Sequence, residues 1–359
     1  MATGTVIPDG LNLRETPGGT IKIVLPKGTA VEVLEDQGDF LKVSALGQVG
    51  FVKASLINRG GSPGGGFHFE GNKAVAPDGT VFGQKHQLGI FNNGNTSIAD
   101  FIRNNPNTFP TLSASRVRVM SAVSVNEGKL EAINTFDNAF LTFGCFQWTV
   151  GVGSAAGELP AMVSRLKQAD PAVFNQLLGQ FGLDIASVSS PPGQVPTGFF
   201  SLHGGVITSA ADKENKLRTL EMAFRFFSAG KDDTMRAVEI EFAASRIDLF
   251  FRDSSHKINQ LFIGDFVSSE FGVALILDEH VNRPGHVPGT IAGAVNQFIN
   301  STGKNNPATW TSQDEANLLN IYIQRRNQTS MTDSANRAAR IRQAVNSGLA
   351  SAQRGSFQP

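Results

Sequence analysis

The chain has 359 residues, 40% of them hydrophobic and 17% charged, which is enough apolar material for packed cores in two domains. Its 31 basic and 31 acidic residues give a formal net charge of zero, so no overall field attracts it to nucleic acid or to an anionic membrane. The single cysteine excludes an intrachain disulfide, and no apolar run is long enough to span a membrane.

Short alternating runs fill residues 1–59. Apolar and polar residues alternate in LNLR, IKIVL, AVEVLE, FLKVSA and GFVKASLI, and turn residues such as PGG, PKG and DQGD separate these runs. About five short strands in so short a stretch predict a small β-barrel.

The succession LNLRETPGG, LPKGTAVEVLE, DFLKVS and GFVKASLI resembles the bacterial SH3-like domain over residues 5–58. The resemblance implies a domain at 1–59 that binds the peptide stem or cross-bridge of the cell wall; a protein-contact or spacer module is the alternative. Phe40 and Phe51 stand where the family usually has Trp, so an aromatic binding face would be built from phenylalanine.

A glycine-, serine- and proline-rich segment, RGGSPGGGF, predicts a flexible linker at residues 60–66. The rest divides into a second domain at 67–327 and a basic C-terminal helix and tail at 328–359. Residues 67–110 are rich in Gly, Asn, Asp and Pro, which indicates loops with one short helix near 97–103.

A helical pattern then runs from Ser113 to Gly128 and places Glu127 in its last turn. The negative end of a helix and apolar surroundings both raise a carboxyl pKa. A glycosidase's general acid needs this shift, because an ordinary Glu with a pKa of about 4.3 has lost its proton at neutral pH.

The next segment, LEAINTFDNAFLTFGCFQW, combines turn residues with alternating apolar residues and predicts a hairpin packed against the helix end. A helix-terminal Glu, a ribbon and a Gly-hydrophobic-hydrophobic-Gln sequence resemble the goose-type lysozymes and lytic transglycosylases. The resemblance implies that Glu127 is the general acid and that Asp137 steers water or stabilises oxocarbenium character. Glu131 is a second, weaker acidic candidate.

The same resemblance implies substrate contacts from the ribbon. Gln147 would line the groove or brace the ribbon, and Trp148 would offer a stacking face, with core packing as its alternative. Asn134 and Thr135 would contact N-acetyl groups, with turn formation as theirs.

Helix-period patterns continue to the end of the chain. They predict helices at 157–170, 171–182, 213–230, 232–251 and 256–281, with a loop at 189–198 and a break at Gly272. After residue 322 there are six arginines and one acidic residue, a local charge of +5 (six minus one). This predicts a basic helix with a frayed tail that either attracts an anionic wall or is simply solvated.

The polar segment LDEHVNRPGHVPGT, residues 277–290, is a second place for chemistry. Asn282 and Arg283 are expected to hydrogen-bond sugar or peptide carboxylates. A metal site at His280 and His286 is disfavoured because their spacing matches no known signature, so neither a metal nor a cofactor is predicted.

The sequence thus predicts an α+β multidomain protein: a small SH3-like β-barrel and a mainly α-helical lysozyme-like domain with a β-hairpin. Its expected activity is that of a muramidase, a peptidoglycan hydrolase that cleaves between N-acetylmuramic acid and N-acetylglucosamine. A lytic transglycosylase, a chitinase- or chitosanase-like glycosidase and a non-catalytic wall-binding protein of a phage or secretion apparatus are the alternatives.

The start MATGTVIPDG has neither the charged nor the apolar part of a classical signal peptide. We therefore expect synthesis in the cytoplasm and action at the wall or in the periplasm after delivery by a phage or a specialised secretion system. An immunity protein is an expected partner if the protein is a secreted toxin.

Overall fold

The computed structural model describes residues 2–59, 66–106, 108–109 and 112–359, so the predicted linker lies outside the described residues except for Gly66. The protein is α+β, with a β-rich N-terminal region followed by a mainly helical part. The two regions have separate hydrophobic cores, one running from Val6 to Ile57 and the other from Ala74 to Phe357.

Seven antiparallel strands form the N-terminal sheet, in the order β3-β2-β6-β5-β4-β1-β7. They are β1 Ala2–Val6, β2 Gly10–Arg14, β3 Ile21–Pro26, β4 Ala30–Gln37, β5 Phe40–Ala45, β6 Gln48–Lys53 and β7 Ile57–Arg59. Alternate residues such as Leu11, Leu13, Leu41 and Val43 face the core, as the pattern predicts. The prediction of a closed barrel is wrong, because closure requires paired edges and β3 and β7 do not pair in the described residues.

A second seven-stranded sheet has the order β14-β13-β12-β11-β10-β9-β8. Its strands are β8 His68–Glu70, β9 Lys73–Val75, β10 Val81–His86, β11 Gly89–Asn92, β12 Ile133–Asn134, β13 Thr142–Phe143 and β14 Trp148–Thr149. The predicted hairpin is therefore part of a larger sheet. Residues 67–110 were predicted as loops because strands this short give little periodicity.

Helices make up most of the remainder. They are α1 Ile98–Asn104, α2 Ala114–Ser124, α3 Glu158–Ala169, α4 Pro171–Leu177, α5 Ala210–Lys216, α6 Leu220–Ala229, α7 Asp233–Asp248, α8 Ile263–Phe266, α9 Glu270–Asn282, α10 Val287–Thr302, α11 Ser312–Arg326 and α12 Ser334–Asn346. A three-stranded sheet of β15 Leu183–Ser189, β16 Thr197–Leu202 and β17 Gly205–Val206 lies between α4 and α5. The short helix near residues 97–103 is confirmed as α1.

Several predicted boundaries differ from the structure. Within the predicted loop at 189–198, residues 190–196 connect the paired strands β15 and β16. Residue 189 ends β15, and residues 197–198 begin β16. The helix predicted at 213–230 divides into α5 and α6, because the side chain of Thr219 caps a new helix by accepting from Met222 N. Gly272 lies in the first turn of α9, and the break precedes Ser269, whose hydroxyl accepts from Gly272 N at 3.0 Å.

The C-terminal tail is packed rather than frayed. Phe357 is buried against Phe251, with ring centroids 4.9 Å apart, and its N–H donates to Ser268 O at 2.9 Å. Burial of an aromatic ring and a backbone hydrogen bond together fix the end of the chain on the helical core.

Candidate functional site

Glu127 lies just beyond α2 rather than in its last turn. The helix ends at Ser124, and the N–H of Glu127 donates to Ser124 O at 3.2 Å in the turn that follows. The sequence Val123-Ser124-Val125 has low helix propensity, which accounts for the earlier end. The Glu127 side chain is 11% exposed, so most of it is removed from water.

A buried network of charges surrounds Glu127. The guanidinium of Arg337, on α12, donates to Glu127 Oε1 and also to Asp278 Oδ1 at 2.8 Å. Asp278, on α9, accepts from Arg326 Nη1 at 3.0 Å and from Asn126 Nδ2 at 2.9 Å. The side chains of Asp278 and Arg326 are fully buried, so these charges depend on one another for compensation.

This network sets the ionisation of Glu127. Burial raises the pKa of the carboxyl above its ordinary value of 4.5; Arg337 opposes the shift, and the like charge of Asp278 adds to it. Because Arg337 is shared between two carboxylates, it compensates Glu127 only in part. The net result is a carboxyl that holds its proton to higher pH than an exposed glutamate.

Three arginines of the basic C-terminal segment are paired with buried carboxylates. Arg326 and Arg337 pair with Asp278, and Arg354 pairs with Glu315 at 2.7 Å. These cations stabilise the helical domain from within, so they are not available to attract a wall.

Gln147 braces the ribbon close to Glu127. Its Nε2 donates to Gly144 O at 2.9 Å, at the base of the β12–β13 hairpin where Gly144 N donates to Ala132 O. Gly128 permits this approach, since a side chain there would clash with the Gln147 amide. The residue after Glu127 is thus packed against the ribbon that the sequence predicted.

Asp137 lies in the loop between β12 and β13, beyond the hairpin base that adjoins Glu127. Its Oδ2 accepts from Asn134 Nδ2 at 2.9 Å, and its Oδ1 accepts from Ala139 N at 2.9 Å. A carboxylate has about four acceptor sites, so it can shape the loop and still accept from water or sugar.

Two of the predicted sugar contacts are buried. Trp148 is 1% exposed and packs between Phe146 and Phe242, at centroid distances of 6.0 and 5.6 Å, so the ring has no open face for a sugar. Thr135 is also buried, and its hydroxyl accepts from Ile90 N at 3.0 Å. Trp148 therefore packs in the core, which was the alternative to a sugar-stacking role.

Glu131, the second acidic candidate, is held by contacts within the protein and does not face solvent. It is buried, and its carboxylate accepts from both the N–H and the hydroxyl of Thr96 at 3.1–3.2 Å, with Arg236 at 3.9 Å. These contacts tie the loop before α1 to the ribbon.

Asn282 and Arg283 are placed at the end of α9. Asn282 follows Asp278 by one helical turn and therefore lies on the same side of the helix, while Arg283 is exposed. The Asn282 Oδ1 atom is buried and has no hydrogen-bond partner in the part of the chain that the structure describes.

His280 is buried beside Arg246, and burial, with the charge of Arg246 second, holds its pKa well below 6.5. Among the described residues, no three His, Cys, Asp or Glu side chains lie together in a way that could hold a metal ion.

Sequence reasoning missed two buried polar groups next to the ribbon. Glu239, on α7, accepts from Cys145 N at 3.2 Å, and burial raises its pKa well above 4.5. The hydroxyl of Thr142, in β13, is buried without a partner in the described residues. The sequence indicates a buried Glu239 only by placing this charged residue between apolar ones in VEIEF. No feature of the local pattern indicates that Thr142 is buried without a partner.

A groove of about 550 Å³ borders the N-terminal sheet. Phe40, Arg14, Asn12 and Lys53 line it from this sheet, Asp9 adds a carboxylate, and Asn175 and Gln180 line it from the helical part.

No helix in the described residues is long and apolar enough to cross a bilayer.

No curated protein and no solved structure matches the chain. Residues 9–58 match the family described as "Bacterial SH3 domain". The N-terminal β-rich region therefore contains a bacterial SH3 domain, as the motifs in this region predict.

Proposed function

We propose that the protein is a peptidoglycan hydrolase of the muramidase type, with Glu127 as the general acid. The observation that carries the proposal is the position of the Glu127 carboxyl, which is largely buried beside a β-ribbon and whose pKa is raised by that burial. The bacterial SH3 domain supports the choice of cell wall as substrate, since such domains often bind peptidoglycan.

In the proposed reaction, Glu127 protonates the glycosidic oxygen as the bond to the anomeric carbon breaks. The carboxylate that forms accepts a charge-assisted hydrogen bond from Arg337, which is already in place. Proton donation by a positioned acid contributes about 10²–10⁴ to the rate.

The ribbon supplies the second group. Asp137, held by Asn134 and Ala139 N, would orient water or stabilise positive charge on the sugar. Carboxyl groups about 6.5–9.5 Å apart would give inversion, and about 5–5.5 Å would give retention. If the sugar's own hydroxyl replaces water, the same acid makes the protein a lytic transglycosylase.

The proposal is tested with purified sacculi. Loss of turbidity with the appearance of new glycan ends supports it, whereas intact glycan strands after prolonged incubation would refute it. We further propose that a phage or a specialised secretion system delivers the protein to the wall, and an immunity protein would accompany a secreted toxin.

The raised pKa of Glu127 predicts the pH dependence of cleavage. Because the acid must be protonated, the rate falls as the pH rises through the Glu127 pKa, and the midpoint of this alkaline limb lies above 4.5. Arg337 lowers this pKa, so Arg337→Met is expected to move the midpoint to higher pH.

Arg342→Met is the matched control, because Arg342 is an exposed residue of the same helix. The measurement is the pH profile of kcat/KM for a soluble glycan fragment. A midpoint at or below 4.5, or one that Arg337→Met does not move, would contradict the assignment.

Removal of residues 1–66 is expected to reduce binding to sacculi by about tenfold or more, because the SH3 domain holds the enzyme at the wall surface. The helical part keeps its own core, so cleavage of soluble glycan fragments should persist. Co-sedimentation with sacculi measures the first effect and fragment release the second. Equal co-sedimentation of both chains would show that the SH3 domain does not bind the wall.

A further inference from the structure

Two hairpin tips are fixed side by side next to Asp137. Thr135 N donates to Ile90 O at 2.9 Å, and Ile90 N donates to the Thr135 hydroxyl at 3.0 Å. Gly89 allows this contact, because a side chain there would clash with the Thr135 backbone. The β10–β11 turn and the loop after β12 therefore form one continuous surface.

Aromatic side chains from both hairpins meet on this surface. The ring of Phe136 lies 4.3 Å from that of His86 and 6.3 Å from that of Phe91, measured between centroids, with interplanar angles of 78° and 71°. Phe91 is 37% exposed, His86 is exposed and Phe136 is half-buried. The residues of this aromatic cluster thus leave apolar ring surface in contact with water, which is common at binding sites.

Fixed polar groups border the aromatic cluster. Asn134 is the cross-strand partner of Phe91, so the two side chains lie on the same face of the sheet. Its amide oxygen accepts from Phe136 N at 2.9 Å, and its amide nitrogen donates to Asp137 at 2.9 Å. The remaining lone pairs of the Asp137 carboxylate are therefore held in a constant position beside exposed rings.

We propose that the cluster of Phe91, Phe136 and His86, with Asn134 and Asp137, is a binding subsite for a pyranose ring of an N-acetylated hexosamine chain. A pyranose offers an apolar C–H face to an aromatic ring and hydroxyl groups to an acceptor at its edge, and this surface offers both complements. A protein partner would not require the oriented carboxylate. The identity of the chain as wall glycan rests on the proposed function.

The subsite is tested in the full chain carrying Glu127→Gln, so that binding is measured without cleavage. The probes are the tetramer of N-acetylglucosamine and peptide-free glycan strands, titrated by calorimetry. Phe91→Ala and Phe136→Leu are each expected to weaken binding about tenfold, because the stacking surface is lost or reshaped.

Phe69→Ala is the matched control. Phe69 is also 37% exposed, but it lies in the edge strand β8, which β9 and β10 separate from the strand of Phe91, β11. This variant should retain the parent affinity, and equal unfolding temperatures for all variants would exclude a general loss of structure.

Unchanged affinity in Phe91→Ala and Phe136→Leu would overturn the inference, as would absence of glycan binding in the parent chain. Self-association that Phe91→Ala abolishes without altering glycan affinity would assign the surface to protein contact and also overturn it. Binding that depends on the aromatic cluster in a chain that fails to cleave with Glu127 present would sustain the subsite and refute the proposed function.

Discussion

Replacement of Glu127 by Gln is expected to slow glycan cleavage by about 10²–10⁴-fold while the fold is retained. Glutamine keeps the shape of the side chain, and its carbonyl oxygen can still accept from Arg337. It has no acidic proton to donate to the leaving oxygen, so the chemical step loses its acid. Release of soluble fragments from sacculi at fixed enzyme concentration measures the effect.

The matched control is Glu241→Gln, at an exposed glutamate on α7. It makes the same substitution without touching the buried network, and it should cleave at the parent rate. Activity of Glu127→Gln within a few-fold of the parent would show that another group supplies the proton.

Asp278→Ala is expected to destabilise the helical part by roughly 3–5 kcal/mol, the usual consequence of removing one member of a buried ion pair. Arg326, which is fully buried, and Arg337 would both lose a carboxylate partner. Denaturant unfolding followed by tryptophan fluorescence measures this directly, because both tryptophans, Trp148 and Trp310, lie in the helical core.

The control for this variant is Asp233→Ala. Asp233, in the first turn of α7, pairs with Arg236 at 3.3 Å, and its side chain is 70% exposed. An ion pair with an exposed carboxylate contributes little, so the unfolding midpoint should hardly move. Similar midpoints for Asp278→Ala and the parent would mean that the charge network does not hold α9 and α12 together.

Local patterns predicted the N-terminal region well. Alternation in runs such as IKIVL and FLKVSA indicates strands with one buried face, and the family match at residues 9–58 confirms the type of domain. Closure of the sheet depends on pairing between distant strands, which alternation within a strand does not specify.

Local sequence also predicted that Glu127 lies near a helix end and a ribbon, but it did not predict which charged residues surround Glu127. Arg337 lies 210 residues further along the chain, and Asn126 contacts Asp278 across 152 residues. These partners meet only through the packing of α9 and α12 against α2. Burial is the largest cause of the raised pKa of Glu127, which lies beyond the end of α2 rather than in its last turn.

Burial likewise decided between alternatives that the sequence left open. An indole at the end of a ribbon can stack on sugar or fill a core, and only the contacts of Trp148 with Phe146 and Phe242 distinguish the two. Thr135 joins two hairpins through the backbone of Ile90, a contact between residues 45 positions apart. The exposed ring of Phe91 and the half-buried ring of Phe136 come together for the same reason.

We propose that the protein breaks glycosidic bonds in the wall with the proton of Glu127. Mass spectrometry of the glycan ends released from borohydride-reduced sacculi by the parent chain and by Glu127→Gln tests this directly. We expect new reducing N-acetylated ends with the parent and none above background with the variant; 1,6-anhydro ends would instead identify transglycosylation by the same acid. The same yield of new ends from both chains would show that another group supplies the proton. No new glycan ends with the parent would contradict cleavage itself and leave wall binding by the SH3 domain as the remaining proposal.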